Sequence, residues 1–339
     1  MVSGGVRRAA VAGSWYPGSS ERIVAEVESY LSAVPSADLP GRLLGLISPH
    51  AGLRYSGPVA AFGYALLRGR RVGTVVLVGP SHRMAFRGSA VYASGSFETP
   101  LGRIPIDEAL AASLIASSQG VSDDPEPHLQ EHSLELQLPF LQHLVPELRI
   151  VPVVMGEQTR KSVEGLAAGL AAAAAGHDVL LLASSDLSHF NPAPVARSLD
   201  AEVIGDVERY APDELMARLE AQPDHACGVQ GVSLDAVEGP AGGPGAPGDP
   251  GVADQRVAAI AGRTGHRDFH AALSQGCHAA SHEGPRLGSI GRGEDVGDQQ
   301  QPGGARHRLP LSLPAHRRAR RSTTASSTEA SWAARLTRS

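Results

Sequence analysis

Lysine is almost missing from this chain of 339 residues: Lys161 stands alone, and arginine carries nearly all of the positive charge. Cysteine occurs only at Cys227 and Cys277, too few for a disulfide framework, so both thiols are expected to be free. Aromatic residues make up only 4% of the chain. No apolar run approaches the roughly 18 residues a membrane-spanning helix needs; the longest candidate, 166–175, is short and alanine-rich. The opening MVSGGVRRAA lacks the apolar stretch of a signal peptide, and Pro17 follows closely. A soluble, cytoplasmic chain is the expectation. The net charge of −5 gives no general attraction to nucleic acid or to an anionic membrane, and neither is expected as a partner. Phosphate-loop, dinucleotide and nucleophile-elbow motifs are also missing.

What is present is an alternation of buried strands and helices. Arg42 to Ile47 (RLLGLI), Thr74 to Val78 (TVVLV), Arg149 to Met155 and Val179 to Ala183 are short apolar runs of strand character. A further strand is predicted at Ser89 to Ala93, followed by a turn at Thr99 to Gly102. Helices are predicted over Pro58 to Leu67, over Glu108 to Ser118 with Asp107 as cap, and over Ser162 to Ala175. Leu134 to Leu144 has helical spacing, which Pro139 kinks or divides. Continuous apolar strands between helices predict an α/β fold with a mainly parallel central sheet and flanking helices. Ligands of such sheets gather beyond the carboxyl ends of the strands. Three of the predicted strands end in SPH, GPSH and SSDLSH, which brings forward His50, His82 and His189. One histidine after a strand is unremarkable; three suggest a shared site.

Several motifs together resemble the Memo family, known in microbes as component B of the AmmeMemoRadiSam set. They are AGSWYPG at Ala12 to Gly18, SPHAGLRYSGPVAA at Ser48 to Ala61 and GPSHR at Gly79 to Arg83. EHSLELQLPFLQ at Glu131 to Gln142, SSDLSHF at Ser184 to Phe190 and ACG at Ala226 to Gly228 complete the set, in family order. The resemblance implies a fold similar to class III extradiol ring-cleaving dioxygenases, which are non-haem iron enzymes. It also implies one transition-metal ion held by His50, His82 and Cys227, with Asp186 and His189 in the same pocket. Imidazole and thiolate suit iron or copper, and zinc also fits; magnesium and calcium prefer oxygen. Three protein ligands leave positions open for dioxygen or substrate. The function expected is that of a metal-dependent redox or dioxygenase-like protein. A non-catalytic module holding a peptide or small ligand in the same pocket is the alternative, as is an inactive truncated member. A radical-SAM protein among the family's neighbouring genes implies a functional link to it.

Around these ligands the roles divide. His189 reads as a proton donor or acceptor, because imidazole titrates near neutral pH. Asp186 reads either as the carboxylate that orients an imidazole or as a cap of the following helix. His132 is expected to line the pocket as a cofactor-binding residue, whereas Glu131 and Glu135 read as a solvated helix face. Arg54 and Tyr55 are open between substrate contact and plain surface. Trp15 and Tyr16 read as packing residues.

Texture changes near residue 229. Residues 1–228 carry the motifs and form the expected Memo-like domain. Residues 229–339 turn to GPAGGPGAPGDPG and PAHRRARRSTTASSTEAS, with Phe269 and Trp332 as the only aromatics. This low-complexity tail is either a disordered extension or translation of a wrong reading frame. Family members end in a helix and a last strand, so the C-terminal part of the domain is expected to be missing and a sheet edge exposed. Cys277, His278 and His282 imitate a metal site, and the basic run His316 to Arg321 is weak ground for nucleic-acid binding.

Overall fold

A computed structural model describes residues 5–35, 39 and 41–227, together with the backbone of 255–258. The expectations placed on Cys277, His278, His282 and 316–321, and on most of 229–339, lie outside the described residues.

The central sheet has seven strands: β2 (Arg42–Ser48), β3 (Thr74–Pro80), β4 (Ser89–Val91), β7 (Val121–Asp123), β8 (Ile150–Met155), β9 (Val179–Ser184) and β10 (Gln255–Ala258). Their order is β10-β2-β9-β3-β8-β4-β7, and every pair is parallel except β4 with β8. β3 and β8 are buried at every position, as strands covered on both faces must be. A small second sheet joins β1 (Val6–Arg7), β5 (Ser96–Thr99) and β6 (Gly102–Pro105). The α/β architecture with a mainly parallel sheet is as the apolar runs indicated. On its β2 side the sheet continues into β10 in parallel pairing.

Seven helices flank the sheet among the described residues: α1 (Ser20–Ser32), α2 (Leu53–Tyr64), α3 (Glu108–Ser117), α4 (Leu138–Leu144), α5 (Arg160–Ala174), α6 (Ala193–Glu208) and α7 (Pro212–Ala221). α1 buries Ile23, Val27 and Leu31, a single stripe at four-residue spacing, and packs on α2 and α4. Asp107 caps α3 by accepting from the Leu110 N–H, and Thr159 forms a capping box with Ser162 at the start of α5. Pro139 does divide its segment: a 3-10 turn covers Glu135–Gln137 and α4 follows directly.

Two apolar clusters hold these layers. The larger runs through the sheet and α1 to α5. The smaller one joins Ile47 of β2 and Ala183 of β9 to Val203 and Val207 of α6, Leu215 and Leu219 of α7, and Ala226. It fastens the last described helices onto the carboxyl ends of β2 and β9. That fastening is what brings residue 227 to the site.

Candidate metal centre

Because β9 lies between β2 and β3 and runs parallel to both, three strand ends stand side by side. His50, His82 and Asp186 are each the second residue beyond their strand, β2, β3 and β9 respectively. The backbone therefore delivers all three to one place. His132 joins them from the segment ahead of the 135–137 turn.

The three imidazoles form a cluster. Ring centroids are 5.1 Å apart for His50 and His82, 4.5 Å for His82 and His132, and 5.7 Å for His50 and His132. One ring nitrogen from each lies within 4.8 Å of the others. His50 and His132 are buried, while His82 is the more exposed and stands at the mouth. Cys227 Sγ lies 3.2 Å from His50 Nε2, touching the cluster through that one ring, while the group within mutual reach is His50, His82 and His132. Two donors sharing a tetrahedral ion, at about 2.0 Å for nitrogen and 2.3 Å for sulfur, would stand roughly 3.5 Å apart. The spacing of Cys227 and His50 is close to that already.

The surroundings of the rings fit a cation. Glu131 accepts from His82 twice, from Nδ1 at 2.9 Å and from the backbone N–H at 2.5 Å. It also accepts from the backbone N–H groups of His132 and Ser133, both at 2.9 Å. Burial alone would raise this carboxyl, but the bonds from His82 and Ser133 outweigh it and hold the pKa near about 2. An ionised carboxylate only accepts, so His82 carries its proton on Nδ1 and directs the Nε2 lone pair away from Glu131. His132 Nδ1 is buried without a hydrogen bond, although Glu131 Oε1 is 3.3 Å away. An orphaned buried nitrogen is costly in plain protein and natural beside a metal. Burial also lowers the His50 and His132 pKa values, the latter to about 4, so both rings are neutral donors.

Asp186 does not cap the following helix, which begins at Ala193 after Pro192. Its Oδ1 accepts from the backbone N–H groups of His50 at 2.7 Å and Ala51 at 3.1 Å, and so pins the loop that presents His50. Its Oδ2 faces His189 Nε2 at 3.5 Å and His50 Nε2 at 4.0 Å. Burial opposes ionisation, but His50 and His189 together hold Asp186 well below the usual carboxylate range. His189 donates from Nδ1 to the Leu187 carbonyl, and Asp186 pushes its pKa up by hydrogen bonding. Half-buried beside the cluster, His189 is where a proton can be held or moved. Its neighbour Phe190 has a φ of 59° and is 83% exposed, with its ring 5.8 Å from that of His189. Positive φ is unusual for an aromatic residue and marks this loop as constrained.

Cys227 is anchored by its backbone. Its N–H donates to Asp186 O at 3.2 Å, Gln158 donates to its carbonyl at 3.0 Å, and the Asp186 N–H points at Sγ from 3.3 Å. Burial and the Asp186 charge push the thiol pKa up to about 12. A metal ion must therefore displace the thiol proton to gain a thiolate.

Two expectations are overturned. Glu131 and Glu135 are not a solvated face; both are buried. The segment is an irregular turn rather than a helix, and it aims both carboxylates inward. Glu135 binds the Arg7 guanidinium, the Ala10 and Val11 N–H groups and the Tyr16 hydroxyl, tying the N-terminal segment under the site. Tyr16 is a packing residue, as read. Trp15 stands against His132 with centroids 4.3 Å apart. Arg54 is exposed and Tyr55 half-buried. Sequence reading passed over Ser184 and Gln137, although polar side chains inside apolar runs were the available signal.

A family model described as Memo-like protein matches residues 7–237. A MEMO1 family protein of Thermotoga maritima is 34% identical over 238 residues, 67% of this chain and 86% of that protein. One from Thermoplasma volcanium is 31% identical over 230 residues, 68% of this chain and 84% of that protein. One from Methanothermobacter thermautotrophicus is 37% identical over 209 residues, 59% of this chain and 75% of that protein.

Proposed function

The chain belongs to the Memo family, and from that membership and its imidazole cluster we propose that it is a metal-dependent redox protein of dioxygenase-like chemistry. The observation that carries the reading is the convergence of His50 and His82, each just beyond a parallel strand on either side of β9, with His132 from the segment ahead of the 135–137 turn. We assign His50, His82 and Cys227 as ligands, with His132 the neutral donor that completes or lines the site. The donor set favours iron or copper and admits zinc. When bound, such an ion supplies an open position at which dioxygen or an oxidisable substrate is activated.

The chain's own residues do the rest. Glu131 fixes the His82 ring, and Asp186 fixes the loop that bears His50. His189, its pKa raised by Asp186, holds a proton at Nε2 and hands it to a substrate oxygen or takes one from it. Similarity to class III extradiol dioxygenases directs the test to catechol-like compounds. With iron(II)-loaded protein, oxygen uptake on a catechol is expected, and His189→Asn should cut it by about a hundredfold or more. Catechol binding with no oxygen consumed would defeat the redox reading. It would favour a ligand-binding module instead, a reading to which the exposed Phe190 beside His189 lends support.

A further inference from the structure

Behind the His50 ring lies a chain of uncharged groups whose hydrogen bonds decide which ring nitrogen can donate. Ser184, Gln137 and Tyr64 are essentially fully buried. The Ser184 hydroxyl lies 2.6 Å from the Ser133 carbonyl, 2.7 Å from Gln137 Nε2 and 2.9 Å from His50 Nδ1. A carbonyl cannot donate, so the single hydroxyl proton goes to Ser133. Both remaining lone pairs of Ser184 must then accept, one from Gln137 and one from His50.

The orientation of the Gln137 amide is set independently. Its Nε2 is 3.0 Å from the Pro49 carbonyl, and its Oε1 accepts from the Tyr64 hydroxyl at 2.6 Å. Turning the amide over would set two acceptors against each other at Pro49. Gln137 is therefore a donor to Ser184.

We propose that Gln137 and Ser184 form a positioning relay that fixes His50 in the tautomer protonated on Nδ1, so that its Nε2 lone pair is presented to the metal. The inference rests on the metal reading given above. It explains why Cys227 Sγ faces Nε2 at 3.2 Å: the thiol has a lone pair to donate to. It also divides the two histidines by mechanism. His82 is held by a carboxylate, His50 by neutral groups that add no charge behind the ring.

The test is a long-range proton–nitrogen NMR spectrum of the histidine rings in the metal-free full chain, paired with iron(II) and zinc(II) titrations. Wild type should show His50 protonated on Nδ1. Ser184→Ala should shift the population towards the Nε2–H form and weaken metal binding about ten- to a hundredfold. Ser184→Thr, which keeps the hydroxyl, should restore both. Gln137→Met covers the case in which Ser184→Ala does not fold; freeing one lone pair of Ser184 should give mixed tautomers and an intermediate affinity. A wild-type His50 protonated on Nε2, or variants with unchanged tautomer and affinity, would overturn the relay alone. A wild type with the Nδ1–H form that takes up neither metal would overturn the metal reading alone.

Discussion

At the scale of single residues, the site depends on which nitrogen of each imidazole is free. Glu131 makes that choice for His82, and it does so from inside the protein. Glu131→Gln keeps the shape but replaces one accepting oxygen with a donating amide. Metal affinity should fall about ten- to a hundredfold, read by competition with a chromogenic chelator; an unchanged affinity would remove Glu131 from the site. His50, His82, His189 and Asp186 were legible in the sequence because each follows an apolar strand closely. Glu131 was legible as part of a motif and misread in its environment. Its segment contains enough polar residues to pass for a solvated helix face, but residues 131–134 are irregular and lead into the 3-10 turn at Glu135–Gln137, and along this path both carboxylates face inward. Ser184 and Gln137 carry no charge and no metal-binding chemistry of their own, so the one mark they bear in the sequence is that of a polar residue within an apolar run.

Among elements, the parallel order of β2, β9 and β3 is the decisive feature, and the apolar runs predicted those strands well. Strand neighbours were not predictable from one sequence, because the order depends on which crossovers the helices allow. α6 and α7 escaped notice for another reason. Asp200 and Asp206 are buried on α6, which blurs its apolar stripe, and α7 follows it after a break at 209–211 with only Leu215, Met216 and Leu219 buried. The end of β3 also has to approach the segment that bears His132. A Cβ at Gly79 would lie 2.8 Å from Leu134 Cδ2 and 3.0 Å from Ser133 Oγ. Gly79→Ala should therefore push this segment outward. The expected cost is about 1–3 kcal/mol in denaturant unfolding, with weaker metal binding as well. Full stability together with wild-type affinity would mean that the segment yields freely.

For the whole molecule, acid stability should report on His128. It is buried, donates from Nε2 to the Ala90 carbonyl, and burial depresses its pKa to about 3. The unfolded chain takes up this proton near about pH 6.5, whereas the folded protein refuses it until far lower. Stability from this residue is thus intact above about pH 6.5 and lost as the pH falls towards 3. Between about pH 6 and about pH 4 the loss should approach 1.4 kcal/mol per pH unit. His128→Phe removes that component, so its unfolding free energy should fall less steeply over the window; identical slopes would contradict the assignment. Cooperative folding of the sheet matters to function here, since strand ends from distant parts of the sequence supply His50 and His82, while His132 and Cys227 arrive on segments packed beside them. Anomalous scattering from metal-soaked crystals, recorded at the metal's own absorption edge, bears on that convergence most directly. One peak is expected, about 2.0–2.3 Å from donor atoms of His50, His82 and either Cys227 or His132. A peak at some other place, or none at these side chains, would contradict it.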